Sequence, residues 1–236
     1  MDSFHNSRVV ATTLRIDPAI CDRIRLAAIE AGPVRAADRA EPLDREIECR
    51  CEALRRRYAG RTPGEIEDAV HARTLYRAFG IDPTRTRPSS EALLRRVLRG
   101  QPLPAILGAV DLGNLCSLNF LLPIGLYDRA RVEPPVVLRE GRAGEEYPGI
   151  GKPEVHLASR PVLADTRGPF GNPTSDSHRT RVTAQTSELL MVVFAPAAYP
   201  AARLEQHVEF AVTAIRRHLT TEPTARVTGR VVEPAQ

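Results

Sequence analysis

The chain predicts a single α+β domain. Apolar residues spaced i, i+3 and i+4 recur in the first half and again near the C-terminus, as helices require. Between them, short apolar or alternating runs broken by Gly and Pro predict strands and turns. No internal repeat or low-complexity block divides the 236 residues, and 42% hydrophobic with 26% charged residues is an ordinary globular balance with enough apolar side chain for a core. The expected organisation is one domain over 1–221 and a frayed, linker-like tail over 222–236.

The elements follow in order. "TTLRID" suits a strand, and "RIRLAAIEAG" reads as a strand or the start of a helix. "EPLDREIECRCEALRRRYAG" and "TPGEIEDAVHARTLYRAFG" predict two helices. In the second, Thr62 and Glu65 form a capping box around Pro63, and Gly80 marks the stop. The arginines of the first are a solvated face paired with its own glutamates. "RPSSEALLRRVLRGQPLP" gives a third helix: Ser89 or Ser90 can cap it, Leu93, Leu94, Val97 and Leu98 make one apolar face, and Gly100 ends it. Arg95, Arg96 and Arg99 stay outside, either as a wet surface or as a patch facing phosphates.

"PAILGAVDLGNLCSLNFLLPIGLYD" is apolar almost throughout, so Asp111, Asn114, Ser117 and Asn119 need internal partners or a polar cavity. "VEPPVVLREG", "RPVLADTRG" and "TRVTAQTSELLMVVFAP" predict strands. "YPAARLEQHVEFAVTAIRRHLTT" restores helical spacing, with Leu204, Val208, Ala211, Val212 and Ile215 on one side.

Net charge +4 and a pI near 9.1 attract polyanions, although Lys152 is the sole lysine and an Arg-, Ala- and Pro-rich chain also reflects genome base composition. Cys21, Cys49, Cys51 and Cys116 are scattered, and the close pair is spaced i, i+2, on different helix faces, so neither a disulfide nor a metal site is expected. His71, His156, His207 and His218 have no paired ligand spacing. GxGxxG, GxxxxGK, HExxH and GxSxG are all missing, which counts against the standard hydride, phosphoryl, zinc and serine-elbow chemistries, and no cofactor is expected. With no signal-peptide pattern and no run of about 18 apolar residues, the reading is a cytoplasmic protein without a membrane partner.

Four blocks in order, "LYRAFGIDPTRTRPSSEALLRRVLRGQPLP", "AVDLGNLCSLNFLLPIGLYD", "LREGRAGEEYPGIG" and "VLADTRGPFGNPTSDSHRTRVTAQTSE", resemble the B3/4 domain, over about residues 74–196. This domain occurs in the beta subunit of bacterial phenylalanyl-tRNA synthetase and in freestanding proteins. The resemblance implies three layers, a β-sandwich-like core covered by helices, and, in the synthetase, a pocket that hydrolyses mischarged tyrosyl-tRNA. Val110, Asp111, Asn114, Pro123, Tyr127 and Asp128 match the synthetase pattern VD-x-x-N and P-x-H-x-F/Y-D without a gap. The histidine of that pattern is Gly125 here, and the place of the synthetase glutamate falls at Thr174 or a neighbour. Asp176, Ser177, Arg179, Thr180, Val182 and Thr183 match the DS-x-RT-x-VT string of the freestanding relatives.

A local triad in "SDSH" is not expected, because Ser177 and His178 on an extended chain should point apart. Asp176, Ser177 and Thr180 either cap a turn or line the family pocket with Asn114. Asn114 is the best pocket candidate, since its amide offers a donor and an acceptor. Asp111 is read as bonding backbone at a helix start, and Glu145 and Glu146 as belonging to a turn between strands. The expected pocket set is Asn114, Gly125, Thr174, Asp176, Ser177 and Thr180, with Gly125→His tolerated if that position lines open space. Arg85, Arg87, Arg95 and Arg99 are the candidate RNA-facing residues, and no catalytic residue is assigned. Three functions follow: a tRNA-associated protein that edits misacylated aminoacyl-tRNA in trans; a protein that binds or hydrolyses an amino-acid-like small molecule; or a noncatalytic interaction module. DNA is not an expected partner.

Overall fold

Apart from Arg25 and Glu30, Ile24–Gly32 and Leu189–Pro196 are apolar at both alternating sets of positions, and they pair as the central strands of a sheet covered on both faces. The computed structural model describes residues 12–220 and 222–233. Within it, β1 (Leu14–Ile16) and β2 (Ile24–Gly32) precede the helices α1 (Glu41–Arg57), α2 (Glu67–Ala78), α3 (Ser89–Leu98) and α4 (Gly108–Phe120). Then come β3 (Ile124–Asp128), β4 (Val136–Glu140), β5 (Glu146–Gly149), β6 (Lys152–His156), β7 (Pro161–Asp165), β8 (Gly168–Gly171) and β9 (Leu189–Pro196). α5 (Ala201–His218) and β10 (Arg226–Val232) end the described chain.

One sheet has the order β10-β2-β9-β3, all antiparallel; the other is β1-β4-β7-β8, with β1 parallel to β4; β5 and β6 form a separate ribbon. The period of two sorts the central strands onto two cores. Leu26, Ala28, Leu190, Val192 and Phe194 face Leu14, Ile16, Leu138, Leu163 and Phe170 of the second sheet. Ala27, Ile29, Met191 and Val193 face the helices, including Leu54 of α1, Leu94 of α3, Leu112 of α4 and Ile215 of α5. The fold is therefore α+β in three layers: helices, sheet, sheet. α4 is buried nearly all round, which is why its sequence lacks a polar face; Leu112, Leu115 and Leu118 are fully buried. Truncating any one of them to Ala would cost about 2–5 kcal/mol.

Several expectations are settled or corrected. "RIRLAAIEAG" is a strand, not a helix start. The capping box is formed by Thr62 and Glu65, but it opens a single 3-10 turn over Pro63–Glu65, and α2 begins only at Glu67. Neither Ser89 nor Ser90 caps α3, whose N-cap is Pro88. "TRVTAQT" is not a strand: it touches β3 at a single bridge, Arg181 with Tyr127, and then turns where the Thr183 N–H donates to Thr186 Oγ1 at 2.9 Å. Threonine hydroxyls there capture backbone groups that a ladder would need. The expected tail over 222–236 is corrected as well, because Arg226–Val232 is β10 and pairs with β2 along its whole length. No helix among the described residues is long and apolar enough to cross a membrane.

Candidate functional site

α4 enters the molecule through an ion pair. The Asp111 carboxylate accepts from the backbone N–H of Ile106 at 3.2 Å and from Arg39 Nη1 at 2.7 Å; burial raises its pKa while both partners oppose that. This is the backbone-bonding role expected of Asp111 at a helix start. One turn on, Asn114 faces a cavity of about 270 Å³ between α3, α4, β3, the β5–β6 turn and the segment that follows β8. Leu93, Ile106, Leu107, Val110, Ile124, Leu126, Ile150 and Val182 make most of the wall. Ser89, Asn114, Ser117, Asp176 and Arg181 supply the polar groups. The Asn114 side chain has no hydrogen-bond partner among the described residues, so both its donor and its acceptor remain for an occupant.

Asp176 closes the cavity from the opposite side. Its Oδ1 accepts from the Tyr127 hydroxyl at 2.7 Å, and the N–H groups of Leu126 and Asn172 also donate to the carboxylate. Burial pushes its pKa up to about 7 against these three hydrogen bonds. Burial and the facing carboxylate hold the Tyr127 phenol well above its ordinary value, so it stays a donor.

A second concavity adjoins the first. Ser89, Leu93 and Asn114 line both, and the outer groove adds Arg87, Arg95, Arg96 and Arg99. Arg87, Arg95 and Arg99 continue onto a third hollow with Arg61, Arg73 and Glu91. Glu91 is held by Arg73 at 2.6 and 2.8 Å and approached by Arg87 at 3.5 Å, whereas Arg95 and Arg99 have no acidic partner among the described residues. Helical spacing, i and i+4, puts these two on the same side of α3 and its C-terminal end.

The expected pocket residues therefore divide. Asn114 and Asp176 meet across one cavity although they are 62 positions apart. Ser177 is buried and caps the 3-10 turn His178–Thr180 by accepting from the Arg179 N–H at 3.2 Å. Thr180 is buried against the Phe170 carbonyl, and Thr174 donates to the Tyr76 hydroxyl at 3.0 Å; neither lines the cavity. Gly125 is a correction too: Ile124 and Leu126 take the cavity side of β3, so Gly125 faces the other way, under the Tyr127 ring. Of the RNA-facing candidates, Arg87, Arg95 and Arg99 line the groove and Arg85 does not. His178 is exposed while Ser177 is buried, so they do point apart. Glu145 is engaged by Arg139 at 2.7 Å on both oxygens, which lowers its pKa and makes it a structural tie. Glu146, Glu154 and His156 gather on an exposed face of the ribbon, where Glu146 contacts the His156 ring at 3.1 Å.

Arg181, Ile106 and Ile150 were missed as site residues. Ile150 had a signal: a large apolar side chain between Gly149 and Gly151 is out of place in a turn unless something covers it.

Over 105 residues the chain is 31% identical to the phenylalanine–tRNA ligase beta subunit of Streptomyces avermitilis, a match covering 44% of this chain and 12% of that protein. The crystal structure of an N-terminal fragment of the phenylalanyl-tRNA synthetase beta subunit from Pyrococcus horikoshii aligns with 92% of this chain and 50% of its own, at 15% identity and a TM-score of 0.47. The chain thus spans a small part of the curated relative and half of that fragment. The B3/4 domain model matches residues 71–221, more than half of the sequence, and the chain belongs to the B3/4 domain family.

Proposed function

We propose that this protein associates in the cytoplasm with aminoacylated tRNA and hydrolyses the ester of a misacylated one in trans. The single observation that carries the reading is the position of Asn114, on the wall common to the arginine groove and the apolar cavity. A tRNA 3′ end presents phosphates next to an esterified amino acid, and the two concavities offer complementary chemistry in the same order. Guanidinium groups bind phosphate in bidentate fashion and gain affinity through counterion release. An apolar cavity of about 150 Å³ already holds benzene, so 270 Å³ suits an amino-acid side chain together with water. The free amide of Asn114 at the junction is placed to hold the ester carbonyl or the attacking water.

A cavity without the groove would serve an amino-acid-like small molecule equally well, and the shared wall favours the RNA-borne form. The test follows deacylation of tRNAs misacylated with apolar and aromatic amino acids, comparing wild type with Asn114→Ala. Turnover by wild type that falls at least tenfold in the variant supports the reading. Turnover indifferent to Asn114, or hydrolysis of free amino-acid esters as fast as of charged tRNA, refutes it.

A further inference from the structure

The five acidic side chains that stand 9% exposed or less in their ion pairs each have a guanidinium partner. Glu30 lies by Arg129, Glu91 by Arg73, Asp111 by Arg39, Asp128 by Arg131 and Asp165 by Arg179. Asp176 has none, and its side-chain partner is a neutral phenol. It is also the one carboxylate on the cavity wall. An ionised carboxylate accepts at about four sites. The Tyr127 hydroxyl takes one at 2.7 Å and the N–H groups of Leu126 and Asn172 account for two at most, so at least one is left for an occupant of the cavity that Asp176 lines.

We infer that Asp176 is the catalytic base at this site, taking the proton of the water that attacks an aminoacyl ester held against Asn114. The inference rests on the function proposed above. The Asp176 carboxylate removes one proton from water as the water oxygen bonds to the ester carbonyl carbon. The tetrahedral intermediate then collapses by breaking the bond to the ribose oxygen, and that oxygen takes the proton back from the Asp176 carboxyl. The free amino acid and the ribose hydroxyl leave, and Asp176 is again ionised. A base must be able to give up and take a proton near the working pH. Burial without an ion-pair partner does this for Asp176, whose pKa lies at about 7, whereas its arginine-paired counterparts are committed to a partner. The other ionisable groups around it are Tyr76 on α2, Tyr127 on β3, Tyr147 on β5, Arg160 beside Tyr76 and Tyr147, Lys152, which donates to the adjacent Ser175 at 2.9 Å, and Arg181 on the cavity wall. Burial raises all three phenols, so none of them titrates near 7.

The experiment is single-turnover deacylation of misacylated tRNA by the full chain from pH 5.5 to 9. Wild type should show a rate that rises through a limb near pH 7 and then levels. Asp176→Asn should lose at least a hundredfold in rate, lose the limb, and keep KM within about threefold, in line with the 10²–10⁴-fold worth of a positioned base. If that variant does not fold, Tyr127→Phe serves: it removes a donor that favours the ionised form, so the limb should move to higher pH. His178→Gln, at an exposed position outside the cavity, should leave the limb in place. An unchanged rate in Asp176→Asn, or a raised KM with an unchanged rate as for a residue that only holds the ammonium group, overturns the inference and spares the function. A limb unmoved in Tyr127→Phe also overturns it. No hydrolysis by wild type, with Arg95-dependent tRNA binding intact, overturns both the base and the hydrolysis while leaving the association.

Discussion

Gly125 and Tyr127 share one face of β3, and the Tyr127 ring covers Gly125 so closely that a Cβ there would stand 2.6 Å from ring Cζ and 2.9 Å from Cε2. Gly171 on β8 meets the same ring from its other edge, with Cε1 and Cζ each at 2.6 Å from where its Cβ would lie. The two glycines form a slot that lets a fully buried phenol reach Asp176. Where the synthetase pattern has a histidine, this chain has the floor of that slot.

The first prediction follows from the slot. Gly125→Ala forces the ring or the strand to shift, and overpacking of this kind costs about 1–3 kcal/mol. Gly125→His should cost more and leave little folded protein, contrary to the tolerance expected of an open position. Urea unfolding of the two variants checks this; a midpoint equal to wild type for Gly125→Ala would show that Tyr127 yields easily.

Much of the fold was legible from sequence because it depends on local pattern: helix spacing over Glu67–Ala78, Ser89–Leu98 and Ala201–His218, and apolar runs at the two central strands. The strand β10 was not, since Arg226–Val232 contains Gly229 and two arginines and becomes a strand only by pairing with β2, nearly 200 residues earlier. The site was half legible. Asn114 stood out as an amide in an apolar run. Asp176 could not be separated from Ser177 and Thr180, because short polar residues around a turn look alike until long-range packing decides which faces a cavity. The side of β3 taken by Gly125 is a matter of strand alternation, and the resemblance fixed its position without its direction.

The second prediction concerns pH and stability. Asp176 has a folded pKa of about 7, above the usual carboxylate range, so the folded state holds a proton that the unfolded chain has lost. Its contribution to stability is present below about pH 4 and disappears as pH rises through 7. His207 works in the opposite direction: burial, with Arg203 nearby, lowers its pKa to about 4, so acid destabilises the fold as that ring is forced to charge against Phe120. The difference in unfolding free energy between wild type and Asp176→Asn isolates the first effect. It should move against wild type between pH 4 and 8, and a difference independent of pH would contradict the raised pKa of Asp176.

The third prediction addresses the groove. Arg95 and Arg99 have no acidic partner among the described residues, so replacing both by Ala should leave stability within about 0.5 kcal/mol and weaken tRNA binding. The slope of log affinity against log salt should become shallower by roughly 0.7–0.9 for each phosphate that is no longer neutralised. Arg85→Ala, outside the groove, should leave the slope unchanged. Arg73→Ala should destabilise the protein, because it strands the buried Glu91. Filter binding between about 50 and 200 mM salt reads the slopes, and equal slopes for wild type and the Arg95/Arg99 double variant would remove the phosphate role.

The last prediction concerns what enters the cavity. Among the described residues, the exposed large apolar side chains are Val70, Ile106 and Ile150, and the latter two, 57% and 49% exposed, both stand on the cavity rim. They lie on different segments, the loop before α4 and the β5–β6 turn, so an apolar group passing between them would be covered from both sides. Fully burying an isoleucine contributes about 1.5–3 kcal/mol, and partial cover of one rim residue should therefore change affinity by up to about tenfold. Ile150→Asp should weaken retention and hydrolysis of tRNAs carrying leucine, methionine or phenylalanine by about that factor. It should affect tRNAs carrying serine or alanine much less, and leave binding of uncharged tRNA and thermal stability unaltered. An equal loss for all aminoacyl groups would mean that Ile150 shapes the ribbon rather than the choice of occupant, and no loss at all would put the aminoacyl group somewhere other than this cavity.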